Sequence, residues 1–99
     1  MPGEITWLPG AAKDVERLRN FIKSENPRAA RRAAKRIFEG VNILQENPEA
    51  GVPVESLSDY RDLMLAFGAG DYIIRYRKET TSRIVIVRVR HSREDGFKD

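Results

Sequence analysis

The run Arg83-Ile84-Val85-Ile86-Val87-Arg88-Val89-Arg90-His91 constrains this chain more than any other stretch. Five β-branched residues in seven favour a pleated, half-buried strand. Side chains alternate across a strand. Val85, Val87, Val89 and His91 are therefore expected on one face, which has the apolar continuity of a core. Ile84, Ile86, Arg88 and Arg90 are expected on the other, a mixed face suited to a partly anionic partner. A single strand of this kind needs neighbours, so the rest of the chain is read for what can pair with it and cover it.

The chain in order supplies both. Ile5 to Leu8 reads as a short strand stopped at Pro9-Gly10, with Trp7 as a core anchor. From Ala11 to Ser24, Val15, Leu18 and Ile22 recur at helical spacing, with Phe21 alongside. Asn26-Pro27 is an N-cap followed by proline at the first helical position. The second helix is expected from Pro27 to Asn47. Its inner face is Ala30, Ala33, Ala34, Ile37, Val41 and Leu44; its outer face is Arg28, Arg31, Arg32, Lys35 and Arg36. The short connection predicts an antiparallel helical hairpin. Gly40 inside that helix implies a close contact or a bend.

Glu49 to Tyr60 reads as a loop. Strands are expected at Arg61–Phe67 and Tyr72–Arg77, with turns at Gly68–Asp71 and Lys78–Ser82, giving an antiparallel meander into the last strand. Parity puts Tyr72, Ile74 and Tyr76 on the core side. Ile73, Arg75 and Arg77 then join Ile84, Ile86, Arg88 and Arg90 on the open side, unless a bulge intervenes. The expected pairings are Arg77 with Ile84, Arg75 with Ile86 and Ile73 with Arg88. The fold class is thus α+β: a short N-terminal strand and a two-helix hairpin packed on a small antiparallel sheet. With 99 residues the chain is read as one domain, 1–99.

Composition narrows the function. There is no cysteine, which removes disulfides, thiolate metal sites and thiol catalysis and fits a reducing compartment. No apolar run approaches the ~18 residues of a membrane span, and Met1-Pro2-Gly3-Glu4 lacks the pattern of a signal peptide. The expected location is the cytoplasm. The net charge of +3 is unevenly spread: residues 13–39 and 61–93 each carry +5, and the segment between them carries −4. Such basic blocks suit nucleic acid or an acidic protein segment, or serve as ordinary solvated faces.

No metal box, phosphate loop or nucleophile motif stands out, and no cofactor is expected. His91 is the one side chain that ordinarily titrates near neutrality. It has the chemistry of a general acid or base and equally suits a structural hydrogen bond at a strand end. Arg61, Arg75, Arg88 and Arg90 have the planar forks that bind phosphate or carboxylate.

Several ordered pieces resemble the RelE/ParE superfamily of small bacterial toxins, and within it the ParE branch. They are Trp7-Leu8-Pro9 with Ala11-Ala12-Lys13-Asp14-Val15, Glu25-Asn26-Pro27-Arg28-Ala29-Ala30, Asn47-Pro48-Glu49-Ala50-Gly51, Tyr60-Arg61-Asp62-Leu63, Tyr72-Ile73-Ile74-Arg75-Tyr76-Arg77 and Val89-Arg90-His91-Ser92-Arg93-Glu94. The resemblance spans nearly the whole chain. It implies the same helical hairpin on a sheet and a toxin of a type II toxin–antitoxin module, in a hetero-oligomer with its antitoxin. ParE-like members inhibit DNA gyrase; RelE-like members cut mRNA on the ribosome.

For the gyrase reading, the expected partner surface is Ile73, Arg75, Arg77, Ile84, Ile86, Arg88, Arg90, Arg93 and Phe97. For the nuclease reading, Arg61 and His91 stand roughly where RelE-like enzymes place an arginine and a histidine. This chain lacks a lysine pair leading into Arg61 and a C-terminal catalytic tyrosine, which favours the gyrase inhibitor. A non-toxic antitoxin-binding homologue is the third reading.

Overall fold

The sheet is built outward from the two longest strands. In the computed structural model, which describes residues 3–80 and 82–97, the elements are β1 (Glu4–Trp7), α1 (Pro9–Lys23), α2 (Pro27–Asn42), a 3₁₀ turn at Ile43–Gln45, β2 (Val52–Pro53), β3 (Tyr60–Phe67), β4 (Gly70–Thr80) and β5 (Arg83–His91). Met1 and Pro2, Thr81 in the expected 78–82 turn, and Lys98 and Asp99 lie outside the described residues. The five strands run in the order β1-β5-β4-β3-β2. All neighbours are antiparallel except β1 and β5, which pair in parallel from Glu4 with Arg83 to Trp7 with Ile86. The expected antiparallel meander is therefore present as β3-β4-β5, and β1 makes the sheet mixed. A parallel partner needs a long crossover, which here is everything between β1 and β5.

Local chemistry explains the helix ends. The first strand ends before Pro9 as expected, and Pro9 is itself the first residue of α1, because a helix start tolerates both its fixed φ and its missing N–H. Asn26 caps α2 as expected, its side-chain oxygen accepting the Ala29 N–H at 3.0 Å ahead of Pro27. The α-helix ends at Asn42, earlier than Asn47, and the 3₁₀ turn still delivers Leu44 into the core. Gly40 is a close contact and not a bend: a Cβ there would lie 2.3 Å from Leu65 Cδ1. The helix approaches β3 at that point.

The hairpin covers one face of the sheet. Ile37, Val41 and Leu44 meet Leu65, Ile74, Tyr76 and Ile86 in a single core. Tyr76 also holds the loop after α2. Its hydroxyl donates to Pro48 O at 2.9 Å and accepts the Gly51 N–H at 2.9 Å. Burial pushes the phenols of Tyr72 and Tyr76 above their ordinary value.

A bulge in β5 changes which residues form the core. Below it, Tyr76 pairs with Ile86 and Lys78 with Ile84; above it, Arg75 pairs with Arg88 and Ile74 with Val89. Val87 is the extra residue. The core face of β5 is consequently Ile84 and Ile86 in its first half and Val89 and His91 in its second. Ile84 and Ile86, expected on the open face, are 2% and 0% exposed within the helix-covered core. Val85, expected in that core, faces the opposite side, with Arg77 as its partner. None of the three expected pairings forms: Arg77 meets Val85, Arg75 meets Arg88 and Ile73 meets Arg90.

The cause is a change of neighbour along the β5 edge. Up to Ile86 the edge is paired with β1, whose ladder ends as Leu8 N–H donates to Ile86 O at 3.0 Å. Beyond it the neighbour is α1, and the Val89 N–H donates to Asp14 Oδ2 at 2.8 Å. An extra residue rotates the strand between these two environments.

This arrangement has a measurable consequence. Ile86→Ala should cost about 3 kcal/mol in denaturant unfolding, as a buried large-to-small change does. Val87→Ala should cost about 1 kcal/mol or less, because Val87 is only half-buried. Equal costs would contradict the bulge.

Candidate functional site

The face of the sheet away from the helices is defined by register. It carries Ile73, Arg75 and Arg77 from β4, Val85, Arg88 and Arg90 from β5, and Tyr60, Asp62 and Met64 from β3. Of the expected surface, Ile73, Arg75, Arg77, Arg88 and Arg90 share this face and Ile84 and Ile86 do not. Ile73 and Val85 form a buried floor. No helix among the described residues covers this face.

The arginines on it are mostly engaged within the chain. Arg75 grips Asp62 through two bonds of 3.0 Å. Arg88 reaches over the strand edge to Asp14, Nε to Oδ2 at 2.7 Å. Arg77 lies 3.5 Å from the Tyr60 hydroxyl and 3.5 Å from Glu79; the hydroxyl, then the carboxylate, hold it more firmly protonated. Arg90 donates to the carbonyls of Glu94 (3.1 Å) and His91 (3.4 Å), while its buried Nε has no partner. The Phe97 ring sits among three guanidinium carbons: Arg75 at 4.6 Å, Arg90 at 5.2 Å and Arg88 at 5.7 Å. Such contacts draw on the negative face of the ring, and they fold the tail onto the sheet. Arg93 is exposed at the turn after β5.

Asp14 organises the edge of the site. It is 4% exposed and accepts from Arg88, from the Val89 N–H and from Arg17. Arg17 also pairs with Glu94, whose other oxygen accepts the His91 N–H at 2.8 Å. The chain of contacts Arg88–Asp14–Arg17–Glu94 thus ties α1 to the turn after β5. The partner reading did not include Asp14. A signal was present: Ala11, Asp14, Val15 and Leu18 form one helical stripe, so a carboxylate stands in an apolar face and must have buried partners.

The two residues of the nuclease reading are not brought together. Arg61 lies opposite Tyr76 and His91 opposite Tyr72. Four residues of strand separate those positions, about 13 Å along β4, and each lies one strand to a different side. Arg61 Nη1 is bonded to Gly51 O at 2.7 Å and Glu49 O at 3.3 Å. His91 Nδ1 accepts the Arg93 N–H at 3.2 Å, and its ring stands edge-on to Tyr72 at 5.4 Å. Among the described residues no group of three His, Asp or Glu could hold a metal.

On the helix side, His91 lines a groove of about 650 Å³ with Leu18, Phe21, Ile22, Phe67 and Tyr72, rimmed by Arg17, Arg93 and Glu94. Phe21 at its lip is 83% exposed. The sequence placed Phe21 only beside the apolar stripe of α1. An aromatic off the core stripe is the trace such a lip leaves in a sequence.

Comparison with known proteins agrees with this architecture. A family model described as the ParE toxin of the type II toxin–antitoxin system parDE matches residues 5–96. Toxin RelE3 of Caulobacter vibrioides is 33% identical over 86 residues, covering 87% of this chain and 90% of that protein. The solved chromosomal ParDE toxin–antitoxin system of P. aeruginosa contains a chain of 26% identity with a TM-score of 0.75, covering 90% of this chain and 95% of that one. A chain of the RelBE2 toxin–antitoxin complex of Mycobacterium tuberculosis shares the fold, with a TM-score of 0.58 at 22% identity over 92% of this chain and 99% of that one. No helix among the described residues is long and apolar enough to cross a membrane. The match over nearly the whole chain, on the helical hairpin and five-stranded sheet described above, places this protein in the ParE toxin family of type II toxin–antitoxin systems.

Proposed function

We propose that this toxin acts as a protein inhibitor of DNA gyrase and is held inactive by a cognate antitoxin. The observation that carries the reading is the separation of Arg61 from His91. RNA cleavage needs a base at the 2′-OH, an acid at the leaving oxygen and a cation at the phosphate, all within hydrogen-bond reach of one another's substrate atoms. Here the arginine anchors a loop at one end of the sheet and the histidine receives a backbone N–H at the other. An inhibitor needs only a surface. The outer face with Ile73, Arg75, Arg77, Arg88, Arg90 and Phe97, continued by Arg93, supplies one of mixed apolar and cationic character. The groove beside Phe21 supplies a second, more apolar one, suited to an amphipathic antitoxin segment. Location in the cytoplasm follows from a gyrase target.

The test is supercoiling by purified gyrase. Inhibition with accumulation of cleaved DNA is the expected result; full activity at excess toxin would overturn the reading. The relative named Toxin RelE3 keeps ribosome-dependent mRNA cleavage as the second reading. Primer extension on translated mRNA tests it, and cleavage that survives both Arg61→Ala and His91→Ala would remove those residues from any catalytic role.

A further inference from the structure

Two sets of cations in this molecule differ in how they are partnered. On the sheet, Arg75, Arg77 and Arg88 face Asp62, Glu79 and Asp14 and are largely neutralised within the chain. On α2, Arg28, Arg31, Arg32 and Lys35 are exposed, and among the described residues none of them forms an ion pair or a side-chain hydrogen bond. Their spacing of three and four residues puts them on one stripe. That stripe is opposite Ala30, Ala33, Ile37 and Val41, which are buried. It spans about 10 Å along the first half of the helix. The N-terminal end of α2 adds its own positive dipole. Exposed Arg19 and Lys23 lie in the last turns of α1, which packs antiparallel beside it. Glu16 and Glu25 are the exposed carboxylates of α1 and the interhelical turn, and Glu39 follows Lys35 by four residues at the far end of the stripe.

We propose that the outward stripe of α2 binds the phosphate backbone of duplex DNA without regard to sequence. Uncompensated cations at helical spacing match a polyanion that presents one charge per about 1.7 Å of axis. The stripe holds no large apolar side chain between Arg28 and Lys35, so a protein partner would bury little there, whereas phosphate contacts need only charge and donors. It holds no Asn, Gln, Ser or Thr; its arginines could pair with guanine edges only by entering a groove, and spent on phosphates they carry no sequence preference. The surface lies on the hairpin, away from the outer sheet face, which stays available to a protein partner while DNA is bound. The choice of DNA over RNA rests on the gyrase reading; the stripe itself does not.

Fluorescence anisotropy of the full-length toxin with two unrelated labelled DNA duplexes tests the proposal without gyrase. The expected result is equal, weak binding to both duplexes, with a dissociation constant of about 1–100 μM at physiological salt. The slope of log K against log salt should be close to −3.6 for about four phosphate contacts. The variant Arg28→Gln/Arg31→Gln/Arg32→Gln/Lys35→Gln keeps good helix formers at exposed positions. It should bind at least about tenfold more weakly at low salt and lose most of the slope. The control Lys78→Gln/Arg83→Gln should bind as the parent does. Circular dichroism confirms that both fold.

Parent-like binding by the quadruple variant would overturn the proposal. A strong preference for one duplex, or tighter binding to an RNA duplex of the same sequence, would also overturn it. DNA binding that persists in a protein with no effect on supercoiling would leave this inference standing and sink the gyrase reading; the reverse pair of results would do the opposite.

Discussion

Asp14→Ala should destabilise the fold by about 3 kcal/mol. The substitution removes a carboxylate that three donors share. Arg88, with a side chain 28% exposed, loses a carboxylate 2.7 Å from its Nε. The Val89 N–H loses its acceptor on a strand edge with no other neighbour. Arg17 contributes little to the cost, because its side chain is 46% exposed and water can replace the carboxylate. In a domain of this size the expected drop in Tm is about 12–24 °C. Since such domains are stable by only about 5–15 kcal/mol, the variant sits near the edge of folding. Asp14→Asn gives a milder companion: its one oxygen still accepts the Val89 N–H, while the charge and the second acceptor, used by Arg88 Nη2 and Arg17, are lost. Thermal melts of the two variants should therefore rank alanine below asparagine, and both below the parent. A parent-like melt for Asp14→Ala would mean that the β5 edge is held by something else. Because Asp14 also links α1 to Glu94 through Arg17, the turn carrying Arg93 should exchange its amide hydrogens faster in either variant.

Gly51→Ala should cost a similar amount for an unrelated reason, about 3 kcal/mol. A Cβ at this position would meet Tyr76 Cε1 at 2.7 Å, Tyr76 Oη at 2.8 Å and Asp62 O at 2.9 Å. None of these can retreat freely. Tyr76 is fully buried in the core, and Asp62 O belongs to the strand that pairs with β2. Relief requires moving the loop, which breaks the hydrogen bonds from Gly51 N–H and to Pro48 O. Gly68 is the control. It sits at φ +61 in the β3–β4 turn with open space around it, so Gly68→Ala should lose only about 1 kcal/mol of backbone strain.

Tyr76 adds a pH signature. Its pKa in the folded state is raised, chiefly by burial. Its stabilisation is then fully present below the ordinary phenol value near 10 and is lost as pH rises through the folded value. Urea midpoints should fall on the alkaline side, and Tyr76→Phe should reduce that fall, leaving the part due to buried Tyr72, while lowering stability at neutral pH.

The sequence carried a good part of the fold, and physical reasons separate what it carried from what it did not. Helix existence and capping are local matters, so Asn26-Pro27 and the apolar stripes of α1 and α2 were readable directly. The meander was readable because its turns are short. The parallel pairing of β1 was not, since it joins residues about eighty apart and leaves no local trace. β2 was also missed: two residues, Val52 and Pro53, are too few to show a period. On the open face, Arg75 and Arg77 follow the alternation of β4, and Arg88 and Arg90 lie beyond the bulge, where β5 pairs regularly with β4. Their charge state as a group was not legible. Whether an arginine is an available cation depends on which carboxylate lies beside it, and Asp14 and Asp62 come from other elements.

The strand from Arg83 to His91 shows the boundary most sharply. That it would be a strand followed from its valines and isoleucines, which favour a pleated, half-buried surface; that it lies inside the sheet, between β1 and β4, did not. Which of those residues would face the core did not follow. Alternation is a property of an unbroken ladder, and this ladder changes partner midway, from the β1 backbone to the Asp14 carboxylate. The bulge at Val87 reconciles the two partners. It sends Ile84 and Ile86 inward and turns Arg88 toward α1, an outcome that only the packing of β1 and α1 against the strand edge could decide.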